Sequence, residues 1–137
     1  GKSFIPHSGT FNGNPMTLAA GLVTMKHLTP DVYSKLDSLG EMLRQKLRSV
    51  FDEFEIPAVV SGISSFFGIH FRDNEITDYR STLNSNKSLR KLLFLGLINN
   101  GVLLQSQTAG ALNILSTETE INILVNTIRD VLQRIKD

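Results

Sequence analysis

The chain has no cysteine, which removes disulfides and thiolate metal sites at once and fits a reducing compartment, with the cytoplasm as the default expectation. An excess of charge of either sign is also missing. Its 14 basic and 13 acidic residues leave a formal net charge of +1 and are spread along the sequence, so no electrostatic case exists for nucleic acid or an anionic membrane surface. No apolar run reaches the roughly 18–20 residues that cross a bilayer, and the segment from Gly1 to Pro6 lacks the apolar stretch of a signal peptide. His7, His27 and His70 fall on three separate elements, away from the short spacing that gathers metal ligands. No GxGxxG run and no glycine-lysine-serine/threonine ending occur, which leaves nucleotide binding without support. Ser61, Ser64 and Ser65 surround Gly62 without a nucleophile-elbow pattern.

What is present is an ordinary globular composition. At 137 residues, 41% hydrophobic and 20% charged, the chain can build one domain with a modest core. Its most pointed local feature is Gly9-Thr10-Phe11-Asn12-Gly13-Asn14-Pro15, which stops a polar segment and launches a helix of small residues from Met16. Two glycines remove side chains that would block a close backbone approach, Thr10 offers a hydroxyl, and a helix start favours negative charge. An oxyanion such as a phosphate suits that place. The same residues also describe a turn followed by a capped helix with proline at its first position. Both readings stand on the residues alone.

Apolar spacing sets the remaining expectations. Met16, Leu18, Ala19, Leu22, Val23, Met25 and Leu28 cover much of a helix surface, which predicts a largely buried helix, with Gly21 allowing close packing. Thr29-Pro30-Asp31 opens a second, amphipathic helix running through Leu36, Leu43, Leu47, Val50 and Phe54, ended by Pro57. Ala58–Val60 and Ser65–Phe71 read as strands joined at Gly62, with Phe67, Ile69 and Phe71 on one face. Asp73 to Asn86 reads as a surface loop in which Ile76, Tyr79 and Leu83 could nucleate a helical turn. A helix from Lys87 to Asn100 stops at Asn100-Gly101, strands follow at Val102–Leu104 and Ala111–Leu115, and Ser116-Thr117 with Glu120 caps a final helix. The order predicts an α+β domain of short antiparallel strands covered on one face by helices. Residues 1–28 read as an interdomain segment carrying the turn and the buried helix, and residues 29–137 as the small domain proper. Arg72 and Arg80 could clamp a carboxylate, although isolated arginines on polar loops are usually solvated.

His7-Ser8-Gly9-Thr10-Phe11-Asn12-Gly13-Asn14-Pro15-Met16 followed by Ala19-Ala20-Gly21 resembles the GTF-x-GNP-h-x-x-AAG segment of class III, fold-type I aminotransferases. The match continues in order through Ser61-Gly62, Ser65-Phe66-Phe67-Gly68, Asn100-Gly101-Val102 and Thr117-Glu118-Thr119-Glu120-Ile121, and it is most like the aminomutase branch. The resemblance implies the small C-terminal domain of a fold-type I enzyme, pyridoxal 5'-phosphate as cofactor, a small amino-acid substrate, and a homodimer with the cofactor site at its interface. It assigns Gly9 and Thr10 to the cofactor phosphate of the other subunit and lets Asn12 help shape the loop. The chain opens in mid-motif and reads as part of a longer protein. The catalytic Schiff-base lysine is expected before Gly1, since Lys2 lies too near Thr10 to match it; no catalytic residue is assigned within the chain, which alone is expected to be inactive. Gln105-Ser106-Gln107-Thr108-Ala109-Gly110 departs from the aminomutase pattern, where a glutamate belongs near Thr108. A transaminase of a β- or ω-amino acid is therefore a rival expectation, and a non-catalytic self-association module derived from such an enzyme is a third.

Overall fold

Thr29 sets the start of the longest helix: its side chain accepts from the Val32 N–H, Pro30 takes the first helical position, and Asp31 lies in the first turn. These devices favour initiation, and an apolar stripe then buries one face. In the computed structural model, which describes residues 9–136, eight elements follow in order. They are α1 Pro15–His27, α2 Pro30–Glu53, β1 Val59–Ser61, β2 Phe66–His70, α3 Tyr79–Thr82, α4 Lys87–Asn99, β3 Ala109–Ala111 and α5 Glu118–Lys136. The end of α2 comes before Pro57. Glu55, at φ 55°, turns the chain left-handed, its N–H bonds to Asp52 O, and Ile56 N–H bonds to Phe51 O at 3.0 Å, the hydrogen-bond pair that closes a helix C-terminus.

The sheet has the order β1-β2-β3, antiparallel throughout, with Val60 opposite Ile69 and Phe67 opposite Gly110. Val60, Phe67, Ile69 and Phe71 are buried on the face that meets the helices, as period-two alternation requires. Phe71 meets Phe51 of α2 edge-on, ring centroids 5.7 Å apart. The core continues through Leu43, Leu47, Leu93, Leu97, Ile121, Ile128 and Leu132. α5 packs against both α2 and α4. The α4–α5 approach depends on Gly96, where an added Cβ would lie 2.5 Å from the Val131 side chain.

Two strand expectations require correction. Val102–Leu104 forms no strand, because Val102 N–H is taken by Leu97 O at 2.9 Å as α4 ends through Gly101, which has φ 79°. The third strand begins at Ala109, and at its far end Asn113 and Ser116 close a turn, with Ser116 N–H on Asn113 O and Asn113 N–H on Ser116 Oγ. Half of the capping box forms: Glu120 Oε2 accepts from the Thr117 N–H at 2.8 Å and from its hydroxyl at 2.6 Å, while Thr117 Oγ1 accepts from Thr119 N–H rather than from Glu120 N–H.

The expectation of a buried first helix is not met within this chain. No residue of α1 is buried, Met16 is 79% and Met25 65% exposed, and a Cβ on Gly21 would meet nothing within 4 Å. Leu36, Leu112 and Ile114 lie beside its C-terminal end, yet every residue of α1 stays exposed. A helix apolar on all sides is stable in water only when something else packs on it.

Candidate phosphate loop and its surroundings

The segment before α1 is a tight turn. Asn12 N–H bonds to Gly9 O at 3.1 Å, Asn14 N–H to Phe11 O at 3.1 Å, and Gly13 at φ 73° takes the left-handed conformation the turn needs. Asn14 caps the helix, its Oδ1 accepting from Met16 N–H at 2.9 Å and Thr17 N–H at 3.2 Å. The capped-turn reading is thus correct as far as local geometry goes. It also decides what an anion could use: two first-turn amides of α1 are occupied, leaving the helix field but not those donors. Thr10 is exposed, and no described residue engages its hydroxyl. Gly9 sits tightly over Asn12, whose Oδ1 would lie 3.1 Å from an added Cβ. The turn therefore presents one exposed hydroxyl that no other described residue engages. A phosphate would fit it as one contact among several, with most of its ligands coming from elsewhere.

The other residues singled out by sequence do not gather at this turn. His7 lies outside the described residues. His27 closes α1 beside Lys26, where cations favour a helix C-terminus. His70 ends β2 and pairs through Nε2 with Ser61 Oγ at 3.0 Å; burial, with the charges of Arg72 and Arg90 adding to it, holds its imidazole below the usual histidine value. Arg72 keeps Nε and Nη1 buried without a hydrogen-bond partner, whereas Arg80 is exposed on α3. The Asn86 side chain caps α4 by accepting from Leu89 N–H at 3.1 Å. Among the described residues no group of histidines and carboxylates could hold a metal ion, and no helix is long and apolar enough to cross a membrane.

Thr108, near which the resemblance to the aminomutase pattern leads one to expect a glutamate, is fully buried. It adopts φ 59°, a costly conformation for a β-branched residue, and its hydroxyl lies 2.8 Å from Ile69 O. The side chain is turned into the sheet. A longer, charged side chain could not occupy that place without its own buried partner.

Sequence reading missed Arg44, a residue only 6% exposed. Its Nη1 donates to Ser64 O at 2.8 Å and Phe66 O at 3.0 Å, while Nη2 and Nε bond Glu41 Oε2. The Arg44 hydrogen bonds hold the Glu41 carboxyl below the ordinary value. Only an arginine four residues after a glycine on α2 hints at this clamp, and that signal is weak.

No protein-family model matches the chain. A curated relative, glutamate-1-semialdehyde 2,1-aminomutase of Thermosipho africanus, is 36% identical over 118 residues, covering 85% of this chain and 27% of the relative. Among solved structures, an omega-transaminase from Sphaerobacter thermophilus superposes with a TM-score of 0.87 at 31% identity, covering 97% of this chain and 31% of that one. A beta-phenylalanine aminotransferase from Variovorax paradoxus gives a TM-score of 0.82 at 29% identity, covering 95% and 30%. The chain thus spans roughly 30% of the length of the proteins it matches. With the fold, the strand topology and the ordered motifs in agreement, the chain belongs to the class III, fold-type I family of pyridoxal-phosphate-dependent aminotransferases, as a C-terminal portion of such an enzyme.

Proposed function

We propose that the complete protein is a cytoplasmic, homodimeric, pyridoxal-phosphate-dependent enzyme that moves an amino group on a small amino-acid substrate, as a glutamate-1-semialdehyde 2,1-aminomutase or a close transaminase relative. In this reading Thr10 and Gly9 touch the cofactor phosphate bound by the partner protomer. The observation that carries it is the exposed Thr10 on a hydrogen-bonded turn, placed at the head of an apolar helix of which the described residues bury no side chain. Such a turn faces outward, toward whatever packs on α1. The cofactor, when bound, supplies the electron sink for the chemistry. This chain supplies one phosphate contact and the frame that aims it. The lysine that holds the cofactor would come from outside the chain, and without it the chain is inactive.

Loss of one charge-assisted hydrogen bond costs about 1.5–3 kcal/mol, roughly 10–100-fold in dissociation constant. Thr10→Ala in the full-length protein is therefore expected to weaken pyridoxal phosphate by that factor, read by cofactor titration of the visible absorbance. Wild-type affinity in the variant would remove Thr10 from the site.

Thr108 favours the second reading, an ordinary transaminase of a β- or ω-amino acid. The aminomutase pattern leads one to expect a glutamate near this position, whereas residues 105–110 carry no acid and Thr108 is a buried hydroxyl bonded into the sheet. Product analysis of the full-length enzyme, with one substrate isomerised or with donor and acceptor exchanging, separates the two.

A further inference from the structure

Away from the phosphate turn, a cavity of about 520 Å³ opens between the end of β2, the short helix α3 and the start of α4. Its size falls within the roughly 300–1,000 Å³ of small-molecule sites. Two cations line it, Lys87 and Arg90, and no carboxylate does. Neither cation forms an ion pair with a described residue, although Asp73, Glu75 and Asp78 lie in the adjoining loop. Asp78 is committed elsewhere, its Oδ1 accepting from Ser81 N–H at 2.7 Å. Ser85 also lines the cavity, and its hydroxyl is buried with no partner. A buried hydroxyl left unbonded is unusual and asks for an acceptor or donor that the chain does not provide. His70 forms part of the wall, its imidazole held below the usual histidine value by burial first and then by the charges of Arg72 and Arg90. Lys87 and Arg90 in the wall, and Arg72 beside it, thus stand at this end of β2 without an ion pair to a described residue.

Ile69, Leu83 and the ring of Tyr79 add apolar surface to the wall, with Thr82 and Gln107 as further polar lining. A ligand suited to this lining has an anionic head for Arg90, Lys87 and Ser85 and an apolar body for the opposite side. A planar guanidinium matches a carboxylate with two parallel hydrogen bonds. We propose that this cavity binds a small organic carboxylate with an apolar body, at a site separate from the Gly9–Thr10 turn. The proposal does not depend on the cofactor reading.

Benzoate is a suitable probe, with inorganic phosphate as the comparison anion, titrated calorimetrically into the full-length protein saturated with its cofactor. Benzoate is expected to bind one site per chain and more tightly than phosphate. Arg90→Ala should weaken it about tenfold or more, Arg90→Lys by less, and Thr10→Ala by less than about twofold. Lys87→Gln, a change at an exposed position, should also weaken benzoate and keeps the test open where Arg90→Ala does not fold. No benzoate binding, binding indifferent to both Arg90→Ala and Lys87→Gln, or phosphate binding as tightly as benzoate would overturn the proposal. Benzoate binding lost in Thr10→Ala but kept in Arg90→Ala would place the anion at the turn instead and would also overturn it.

Discussion

Gly40→Ala is expected to destabilise the chain by about 2–4 kcal/mol, although alanine is the better helix former by about 1 kcal/mol. Gly40 lies inside α2, and a Cβ there would sit 1.8 Å from Ser64 O and 2.8 Å from the Ser64 carbonyl carbon. Those are backbone atoms that cannot swing aside like a side-chain tip. To admit the methyl group, the β1–β2 turn must move off α2, and the Arg44 bonds to Ser64 O and Phe66 O stretch with it. Overpacking typically costs about 1–3 kcal/mol, and each hydrogen bond from a charged group contributes about 1.5–3 kcal/mol. Together these exceed the propensity gain. Urea unfolding followed by circular dichroism measures the difference. The same substitution at Gly21, whose Cβ would meet nothing within 4 Å in this chain, is the control and should not destabilise it. A Gly40→Ala chain as stable as wild type would mean that α2 and the turn do not touch as described.

The second large effect belongs to Phe51→Ala, expected to cost about 3–5 kcal/mol. Phe51 is 1% exposed and its ring meets Phe71 edge-on, so truncation removes both the transfer energy and an aromatic pair, and opens a void between α2 and the sheet. An aromatic pair contributes about 0.5–1.5 kcal/mol beyond area. Phe51→Leu keeps much of the volume and should recover more than half of the loss. Equal destabilisation by alanine and leucine would point to the ring geometry rather than to cavity formation.

Much of this architecture is legible in the sequence because the signals are local. Thr29-Pro30-Asp31, Asn100-Gly101 and Thr117 with Glu120 mark helix ends through hydrogen bonds that span a few residues. Phe67, Ile69 and Phe71 declare their strand face by alternation alone. The failures come where a distant group decides. Val102–Leu104 has strand composition, yet its first amide is claimed by the end of α4. Gly40 looks like a weak point in a helix until the β1–β2 turn is seen resting on it. Arg44 reads as a surface cation until its carbonyl partners, 20 and 22 residues later, appear. α1 reads as a buried helix, and its residues are composed for burial, but among residues 9–136 every one of them is exposed. The turn at Gly9–Asn14 carried two readings: geometry shows the capped turn, and the phosphate contact stands as the proposal made for Thr10.

The role given to Thr10 across the subunit boundary is tested most directly with hybrid dimers of the full-length protein. One subunit carries Thr10→Ala and keeps the cofactor-binding lysine; the other keeps Thr10 and has that lysine replaced by alanine. Only the lysine-bearing site contributes to the lysine-dependent visible band. With Thr10 acting on the partner's cofactor, that site faces an intact threonine, and the hybrid is expected to hold pyridoxal phosphate as tightly as wild type, while the Thr10→Ala homodimer is weaker by about 10–100-fold. A hybrid as weak as the Thr10→Ala homodimer would contradict it, placing Thr10 beside the cofactor of its own subunit.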